Sequence, residues 1–359
     1  MGLFDDMLSH SGTVVKNESA LEYEYVPKLL PFRENEQKHI ADCIKPLFMK
    51  RTARNLFIYG GPGIGKTCSV KYVLRELEEK DEDEGIFIFY VNCWQKNSTF
   101  KVLMELCDIV GYKFTQNKKT VELFKIAAQI INKKSAVFVF DEIDKAEDFD
   151  FLYFILEEIY KKSIILITNY KSWLAELEDR VKSRLLAEIS EFTEYSLAET
   201  EGILRERVKE AFFDDVWSKE CFNVVFHKAF EMKDIRSGIF LLKESSLIAD
   251  ERGSKKVSLD DVNKALKKLE DFTIKNSADL EEDTQFILDI VRENTGRKIG
   301  ELYEVYKQKG GKAVYKTFQR KIAMLEKNRF ISTERLTGAG GNTTIISKVS
   351  KTNKSLDEF

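Results

Sequence analysis

Short apolar runs alternate with segments of helical periodicity between Leu56 and Phe192. Three of the runs are almost entirely apolar and lack the period-two alternation of a strand with one exposed face. Strands of this kind are buried on both faces, as in a parallel sheet that is covered by crossover helices. The pattern therefore predicts an α/β domain with strands at residues 56–59, 86–91, 136–140, 164–168 and 188–192.

The pattern changes after this region. Between Ala198 and Leu269 the apolar spacing is helical throughout, which predicts a separate helical domain. Beyond it, helices are predicted at residues 284–293, 299–307 and 313–328, followed by strands at 330–335 and 343–348 around a glycine-rich loop. Three helices followed by a hairpin are the order of a winged helix.

These changes divide the chain into five segments. Residues 1–20 are polar and aperiodic, which is typical of a flexible tail. The predicted domains are an α/β domain at 21–195, a helical lid at 196–275, a winged helix at 276–349 and a C-terminal tail at 350–359.

Composition indicates a globular protein, with 43% hydrophobic and 33% charged residues among 359. No apolar stretch approaches the roughly 18–20 residues that span a membrane, and the first residues do not resemble a signal peptide. Five dispersed cysteines without a Cys-x-x-Cys pair fit reduced thiols, so we expect a cytoplasmic protein. With only three histidines, a zinc site has almost no ligands to draw on.

Charge is unevenly distributed. Residues 297–351 carry 13 Lys/Arg against 4 Asp/Glu, so this segment has a charge of +9 while the whole chain has −3. A basic module on an acidic body favours an anionic partner such as nucleic acid. The alternative is a solvated, lysine-rich surface.

The segment GGPGIGKT at residues 60–67 follows the first predicted strand and precedes a helix. This is the context of a phosphate-binding P-loop, in which glycines aim backbone N–H groups at a polyphosphate. Lys66 would reach the β and γ phosphates, and the Thr67 hydroxyl would bind Mg²⁺. The alternative is a glycine-rich turn with a chance Lys-Thr. The predicted nucleotide-binding residues here are Gly61, Pro62, Gly63, Ile64, Gly65, Lys66, Thr67 and Cys68.

Two later strands end in residues suited to nucleotide hydrolysis. The third predicted strand delivers Asp141 and Glu142 at its carboxyl end, the edge of a parallel sheet where ligands bind. Asp141 would hold Mg²⁺, and Glu142 would polarise the water that attacks the γ phosphate. Asn169, at the end of the next strand, could orient that water. An acidic turn and an ordinary turn asparagine are the alternatives.

Three arginines are candidates for transition-state contacts. Arg180 and Arg184 are four residues apart and share a helix face. An arginine from a neighbouring subunit can neutralise charge on the γ phosphate, but pairing with nearby acidic residues is equally compatible with the sequence. Arg236 opens a helix of the predicted lid and could reach the nucleotide, or pair with Asp234 or Glu231.

Together these motifs resemble those of AAA+ initiator ATPases, and more narrowly the archaeal origin-binding initiators, homologues of the eukaryotic origin recognition complex and its helicase-loading partner. The resemblance covers roughly residues 22–348. It implies an AAA+ P-loop domain with a lid and a winged helix, ATP or ADP with Mg²⁺ as cofactors, and an adenine-side motif formed by Tyr25, Val26, Pro27 and Arg33. Phe32 stands where histidine is common in that motif.

The resemblance also implies residue roles beyond the P-loop. Arg236 contacts the nucleotide of its own subunit, whereas Arg184, with Arg180 as a possible second arginine, acts on a neighbour's. A helical insertion within residues 95–119 touches DNA, although no sharp feature marks it in the sequence.

The third predicted helix of the winged-helix domain has two opposed faces. Val314, Phe318, Ile322 and Leu325 fall on one side and predict a core face. The predicted DNA-binding residues are Lys316, Gln319, Arg320 and Lys327 on the other side of the helix, with Arg335 and Gly340 on the hairpin. An ordinary amphipathic helix, or a winged helix that binds protein, is the alternative.

The combined interpretation is an ATP-dependent replication initiator that binds duplex origin DNA and helps recruit or load the replicative helicase. Slow hydrolysis would act as a switch. Expected partners are origin DNA, the minichromosome maintenance helicase and paralogous initiator subunits. A clamp loader is disfavoured by the winged helix and the Tyr-Val-Pro motif, and the remaining alternative is a nucleotide-binding DNA regulator with negligible hydrolysis.

Overall fold

The computed structural model describes residues 13–82, 85–278, 282–327, 330–338 and 341–348. The chain divides into two compact units between Leu266 and Lys267, and each is described by itself. Within the described ranges, no helix is both long and apolar enough to cross a bilayer.

The first unit contains a five-stranded parallel sheet in the order β2-β3-β4-β1-β5. Every apolar run predicted as a strand forms one, because hydrogen-bonded neighbours and helices bury these runs. The strands are β1 (Leu56–Tyr59), β2 (Ile86–Asn92), β3 (Ser135–Asp141), β4 (Lys162–Thr168) and β5 (Glu188–Glu191).

Helices cover both faces of this sheet. They are α1 (Glu34–Ile44), α2 (Lys66–Lys80), α3 (Thr99–Ile109), α4 (Thr120–Ile131), α5 (Asp150–Glu158), α6 (Trp173–Glu176) and α7 (Asp179–Leu185). One face packs Phe89 against Phe138, with ring centroids 4.7 Å apart, under α3, α4 and α5. The other face packs Val139 and Ile167 under α1 and α2. Two covered faces explain why the central strands show no period-two alternation.

Four helices follow the sheet: α8 (Leu197–Ala211), α9 (Lys219–Glu231), α10 (Ile235–Glu251) and α11 (Leu259–Ala278). They confirm the prediction that this region is helical. Ser196 and Glu199 form a reciprocal capping box at the start of α8, and Asp234 caps α10. Gly238 lets α10 pack closely on α8, since a Cβ at this position would lie 2.6 Å from a methyl group of Leu204.

The prediction of a flexible tail is wrong for residues 13–20. Val14 and Ala20 are buried, and Val14 N donates to Asp250 Oδ1 of α10 at 2.8 Å. Val15 forms an isolated bridge with Phe212. The segment is held by lid helices that lie about 200 residues away in sequence, which its own polar composition does not reveal. Residues 1–12 lie outside the described residues.

The second unit contains α12 (Glu282–Glu293), β6 (Arg297–Lys298), α13 (Ile299–Gln308), α14 (Tyr315–Lys327), β7 (Ile331–Gly338) and β8 (Gly341–Lys348). Its antiparallel sheet has the order β6-β8-β7. Three helices with a hairpin are consistent with the predicted winged helix, and β6 is a strand that the sequence pattern did not predict. The strands are also longer than predicted, since Thr337 pairs with Asn342 and Gly338 with Gly341.

The core of this unit contains Tyr306 and the predicted residues Phe318, Ile322 and Leu325. The prediction for Val314 is wrong. Its side chain is 64% exposed because α14 begins only at Tyr315, so the helical periodicity does not extend to this residue.

Candidate functional site

The loop between β1 and α2 has the backbone geometry of a P-loop. Gly63 and Gly65 adopt φ angles of +72° and +88°, and Gly65 is the N-cap residue of α2. Residues with a side chain rarely adopt such backbone angles, and a Cβ at Gly65 would also lie 2.5 Å from Tyr195 Oη. The loop therefore places the N–H groups of the first turn of α2 at the carboxyl edge of the sheet, where an anion binds favourably.

Lys66 lies beneath this loop, and its ammonium donates to three oxygens. They are Gly60 O at 2.8 Å, Gly61 O at 2.6 Å and Asn169 Oδ1 at 2.8 Å. Burial lowers the pKa of Lys66 to about 8, although the carboxylate of Asp141 opposes this shift. Two residues predicted from separate strand ends, Lys66 and Asn169, thus lie in direct contact.

Asp141 and Thr67 are also brought together. Thr67 Oγ1 donates to Asp141 Oδ2 at 2.7 Å, and the hydroxyl of Tyr90 on β2 donates to the same oxygen at 2.5 Å. The Asp141 side chain is buried. A hydroxyl and a carboxylate oxygen in contact are the hard donors that Mg²⁺ prefers.

Glu142 immediately follows β3 and has a φ angle of +53°, in the left-handed region. Its backbone N–H donates to Asp141 Oδ1 at 2.9 Å. Burial, and then the neighbouring carboxylate of Asp141, raise the pKa of Glu142 above its usual value. Both effects disfavour the charged form of Glu142 and make it a stronger base than an exposed glutamate.

These residues surround a cavity of about 520 Å³, a size typical of small-ligand pockets. The predicted nucleotide-site residues on its wall are Tyr25, Val26, Pro62, Gly63, Ile64, Gly65, Lys66, Thr67, Cys68, Asp141, Glu142, Asn169 and Arg236. The wall mixes apolar surface with backbone and charged groups, which suits a ligand that has a flat base and a polyphosphate.

Three residues predicted to bind nucleotide lie outside the cavity wall. The carbonyl of Gly61 faces Lys66, and the carbonyl of Pro27 accepts from Arg75 at 3.0 Å. Arg33 is buried beneath the P-loop, where it donates to Ile64 O at 3.2 Å. Its guanidinium also stacks 4.0 Å from the centre of the Tyr195 ring. Arg33 therefore supports the loop from behind, because two carbonyls and aromatic rings draw it into the interior.

The lid meets the P-loop directly. The backbone N–H of Ile235 donates to Gly63 O at 3.3 Å, and Arg236 follows on the cavity wall. The Arg236 backbone N–H donates to Asp234 Oδ1 at 2.9 Å, which is helix capping. Arg236 thus lies in the site of its own chain, and its charge acts on both Lys66 and Glu142.

Arg180 and Arg184 are not brought to this cavity. Arg180 donates to Asp150 at 2.9 Å and to Glu178 at 2.5 Å, while Arg184 pairs with Glu157. Both guanidinium groups lie near the ring of Tyr153. Both arginines are therefore exposed on α7 and paired with acidic side chains.

Several residues of the cavity wall were not predicted from the sequence. They are Lys71, Tyr90, Tyr195, Ile203 and Arg207. Lys71 lies over the ring of Tyr90, and Arg207 lies over the ring of Tyr25, on the predicted base side. Arg207 is buried and donates to the carbonyls of Ala20 and Tyr25, so it fixes the chain segment that carries the predicted adenine-side motif. For Tyr90 the sequence offered one signal of proximity to the site. This residue lies two positions before the end of β2, and that strand end lies beside Asp141.

The second unit presents part of the predicted DNA surface. Lys316, Gln319 and Arg320 are exposed on α14, opposite the buried face. The side chains of Lys327 and Arg335 and the whole of Gly340 lie outside the described residues.

Two parts of the chain match known domain families. Residues 49–175 match the family described as AAA domain, and residues 201–267 match the Cdc6 AAA+ ATPase-type lid domain. The chain is similar to the ORC1-type DNA replication protein 1 of Sulfurisphaera tokodaii, with 31% identity over 89% of this chain and 86% of the relative. The corresponding protein of Methanothermobacter thermautotrophicus is also 31% identical, over 96% of each chain.

Solved structures agree. The Orc1 protein of Aeropyrum pernix, determined in complex with DNA, superposes with a TM-score of 0.69 at 25% identity, covering 94% of each chain. The ORC2 protein of the same organism, in ADPNP–ADP complexes, gives a TM-score of 0.71 at 17% identity, which shows a shared fold. Fold, lid and sequence point to a single family.

Proposed function

The chain belongs to the family of ORC1-type DNA replication proteins, and on that premise we propose that it binds duplex origin DNA under the control of bound ATP. The AAA+ domain makes it an ATPase. We further propose that hydrolysis is slow and resets the complex, so that the nucleotide acts as a switch.

A single observation carries this proposal. Lys66, Asp141 and Asn169 come from three separate segments of sequence, and their side chains converge beside the P-loop in one cavity that also contains Arg236 of the lid. A cavity that merely stored a nucleotide would need the P-loop and an apolar wall. The added carboxylates and amide are the groups that hydrolysis requires.

Thr67 and Asp141 would hold Mg²⁺, Asp141 through water. The fit is good because two oxygen donors already lie 2.7 Å apart and Tyr90 fixes the orientation of the carboxylate. Held by Thr67 and Asp141, Mg²⁺ would supply positive charge that offsets the negative charge of the phosphates.

The protein's own groups divide the remaining work. Lys66 would exchange its contacts with Gly60 and Gly61 for phosphate oxygens. Glu142 would accept a proton from the attacking water, and its raised pKa makes it a stronger base than an exposed glutamate. Asn169 would orient that water without adding charge. Arg236 would link the state of the nucleotide to the position of the lid.

Arg184, with Arg180 as a second arginine, would act on the nucleotide of a neighbouring subunit. Their exposure on α7 and their absence from the cavity of their own chain support an action in trans. The acidic partners Asp150 and Glu157 would hold them ready until a neighbour docks.

DNA binding would use two surfaces. On α14, Lys316, Gln319 and Arg320 are exposed and suited to a major groove. The proposed DNA contacts also include Lys327 on the same helix, Arg335 on β7, and Gly340, which lies outside the described residues. In the first unit, α3 and the loop after it would form the second surface. The similarity to a protein whose structure contains DNA supports this proposal.

The proposed partners are the minichromosome maintenance helicase and paralogous initiator subunits, and the proposed location is the nucleoid in the cytoplasm. These proposals follow from the family rather than from a recognisable docking surface.

Mapping of the chain on the genome of its own cells tests the function. Peaks at replication start sites are expected, and peaks confined to promoters would favour a nucleotide-binding DNA regulator. A turnover assay in vitro tests the hydrolytic part of the proposal. Glu142→Gln should retain ATP while lowering hydrolysis by at least about 100-fold, whereas equal turnover in both proteins would remove Glu142 from the mechanism.

A further inference from the structure

Three side chains of the kinds that bind metals meet between α1 and β5, away from the nucleotide site. His39 and Cys43 are four residues apart on this helix, so both project from one face toward Glu188, the first residue of β5. His39 Nε2 lies 2.8 Å from Glu188 Oε2, and Cys43 Sγ lies 3.8 Å from the same oxygen. One donor atom from each of the three residues fits within a span of 4.8 Å.

We propose that His39, Cys43 and Glu188 bind one zinc ion. Nitrogen, thiolate and carboxylate oxygen are the donors that zinc uses in proteins, and a pair spaced i and i+4 on a helix is a known chelating arrangement. With bonds of about 2.0 Å to oxygen or nitrogen and about 2.3 Å to sulfur, tetrahedral ligand atoms lie about 3.3–3.5 Å apart. The observed separations of 2.8 and 3.8 Å bracket these values, so small rotamer changes would complete the site.

The surroundings supply the order that such a site needs. Arg54 Nη1 donates to Glu188 Oε1 at 2.7 Å, which leaves Oε2 directed at His39 and Cys43. Arg54 is itself fixed by a bond from Nη2 to the carbonyl of Asp42 at 3.0 Å. Support of this kind behind a ligand holds its orientation and contributes to metal affinity.

Cys43 is fully buried, whereas the side chains of His39 and Glu188 are about one-third exposed, which leaves a path for the ion. Zinc would displace the thiol proton of Cys43 and release it to solvent, and it would bind the neutral form of His39. A solvent molecule would supply the fourth ligand.

The position implies a structural role. Glu188 lies at the amino end of β5, whereas the P-loop follows the carboxyl end of β1, the parallel neighbour of β5. Zinc would therefore join α1 to the edge strand β5 at the amino ends of the strands, whereas the nucleotide site lies at their carboxyl ends. Because β5 begins three residues after α7 ends, the ion would also stabilise the position of the helix that carries Arg184. Zinc at this site would run against the sequence-based expectation that zinc ligands are too few.

Titration of the full chain with Co²⁺, followed by Zn²⁺, tests the proposal. One Co²⁺ per chain should give the d–d bands of a tetrahedral ion and a thiolate charge-transfer band in the near ultraviolet, and Zn²⁺ should abolish both. Cys43→Ser should abolish the thiolate band and weaken zinc binding by more than about 100-fold, because changes behind metal ligands already cost about 10- to 100-fold.

His39→Gln, at a partly exposed position, gives a second test that does not depend on core packing and should weaken binding by at least about tenfold. Cys221→Ser and His227→Gln are matched controls on α9 and should leave the spectrum unchanged. ATP affinity should stay within about twofold in all four variants, which separates this site from the nucleotide site. The proposal would be overturned if the unaltered protein shows no thiolate band. It would also be overturned if Cys43→Ser and His39→Gln both bind zinc as tightly as the unaltered protein.

Discussion

Lys66 Nζ donates to Asn169 Oδ1 at 2.8 Å, which joins the P-loop to the end of β4. With two further bonds to Gly60 O and Gly61 O, all three ammonium donors are used. Phosphate oxygens of ATP would therefore compete with these three oxygens for the Lys66 ammonium. The residue that would orient the attacking water is thereby linked to the residue that would detect the γ phosphate.

Asn169→Ala should lower the rate of ATP turnover more than the affinity for ATP. Removal of one positioned polar group from a hydrolytic site costs about 100-fold in rate, whereas the lost bond to Lys66 costs about fivefold in affinity. Single-turnover hydrolysis and equilibrium ATP binding measure the two effects. Asn223→Ala, on the exposed surface of α9, is the control and should change neither. Unchanged turnover in Asn169→Ala would exclude Asn169 from the catalytic site.

Tyr90→Phe should raise the Mg²⁺ concentration needed for half-maximal turnover by about fivefold, the equivalent of one hydrogen bond. The Tyr90 hydroxyl and Thr67 Oγ1 both donate to Asp141 Oδ2, so this oxygen loses one of its two hydrogen bonds. At saturating Mg²⁺ the rate should recover to within about twofold of the unaltered protein. Tyr72→Phe removes a hydroxyl that bonds to Glu76 on the surface of α2, and its Mg²⁺ dependence should not change. The same Mg²⁺ dependence in both variants would contradict a positioning role for Tyr90.

The sequence was sufficient to predict the residues that follow β1, β3 and β4. Gly65, Lys66, Asp141 and Asn169 were found because a parallel sheet gathers its carboxyl ends at one edge, so position along each strand predicts proximity. The five strands were predicted for a related reason, since burial on both faces leaves a continuous apolar run in the sequence.

Contacts between distant segments could not be predicted in this way. Arg207 reaches the base side of the cavity only because Ala20 and Tyr25 pack on α8. Arg33 was predicted to contact nucleotide, yet it lies beneath the loop because carbonyls distant in sequence accept its bonds. Helical periodicity also says little about where a helix begins, which is why Val314 was wrongly placed in the core.

Asp261→Asn should lower the free energy of unfolding by about 2 kcal/mol at pH 7. Asp261 is fully buried at the start of α11, where Arg252 Nη2 donates to Oδ2 at 2.7 Å and Ser258 N at 2.8 Å. Burial alone would raise the pKa of Asp261, but the bonds from Arg252 and Ser258 outweigh it and lower the pKa to about 2.

Because the folded-state pKa of Asp261 lies below the unfolded value near 3.8, its stabilisation is present above about pH 4 and is lost as the pH falls toward 2. Denaturant unfolding at a series of pH values should therefore show the variant and the unaltered protein converging near pH 2. Asp260→Asn is the matched control, since that exposed carboxylate pairs with Lys264 and should contribute less than about 0.5 kcal/mol. If the two proteins differ by the same free energy of unfolding at pH 7 and at pH 2, the charge of Asp261 is not the origin of the stabilisation.

Lys316→Ala and Arg320→Ala should each weaken duplex binding at all sequences. Each would also reduce the slope of log affinity against log salt by about 1, because one phosphate contact releases about one counterion. Fluorescence anisotropy at several salt concentrations measures both quantities. Lys309→Ala removes a lysine of the same unit that is paired with Glu293, and its slope should remain unchanged. Equal slopes for all three variants would place the DNA surface elsewhere than on α14.

Mixing two inactive variants tests whether Arg184 acts on a neighbour. Arg184→Ala leaves a complete set of cavity residues but removes the arginine, whereas Glu142→Gln keeps the arginine and loses the base. If Arg184 acts in trans, a mixture on DNA should recover turnover, because a Glu142→Gln chain supplies its arginine to the intact site of an Arg184→Ala chain. A mixture of Glu142→Gln with Lys66→Ala is the control and should stay inactive, since neither chain then has a complete site. The pairing of Arg184 with Glu157, away from the cavity of its own chain, leads us to expect recovery in the first mixture alone. If neither mixture recovers turnover, Arg184 acts within its own subunit or only in the ion pair with Glu157.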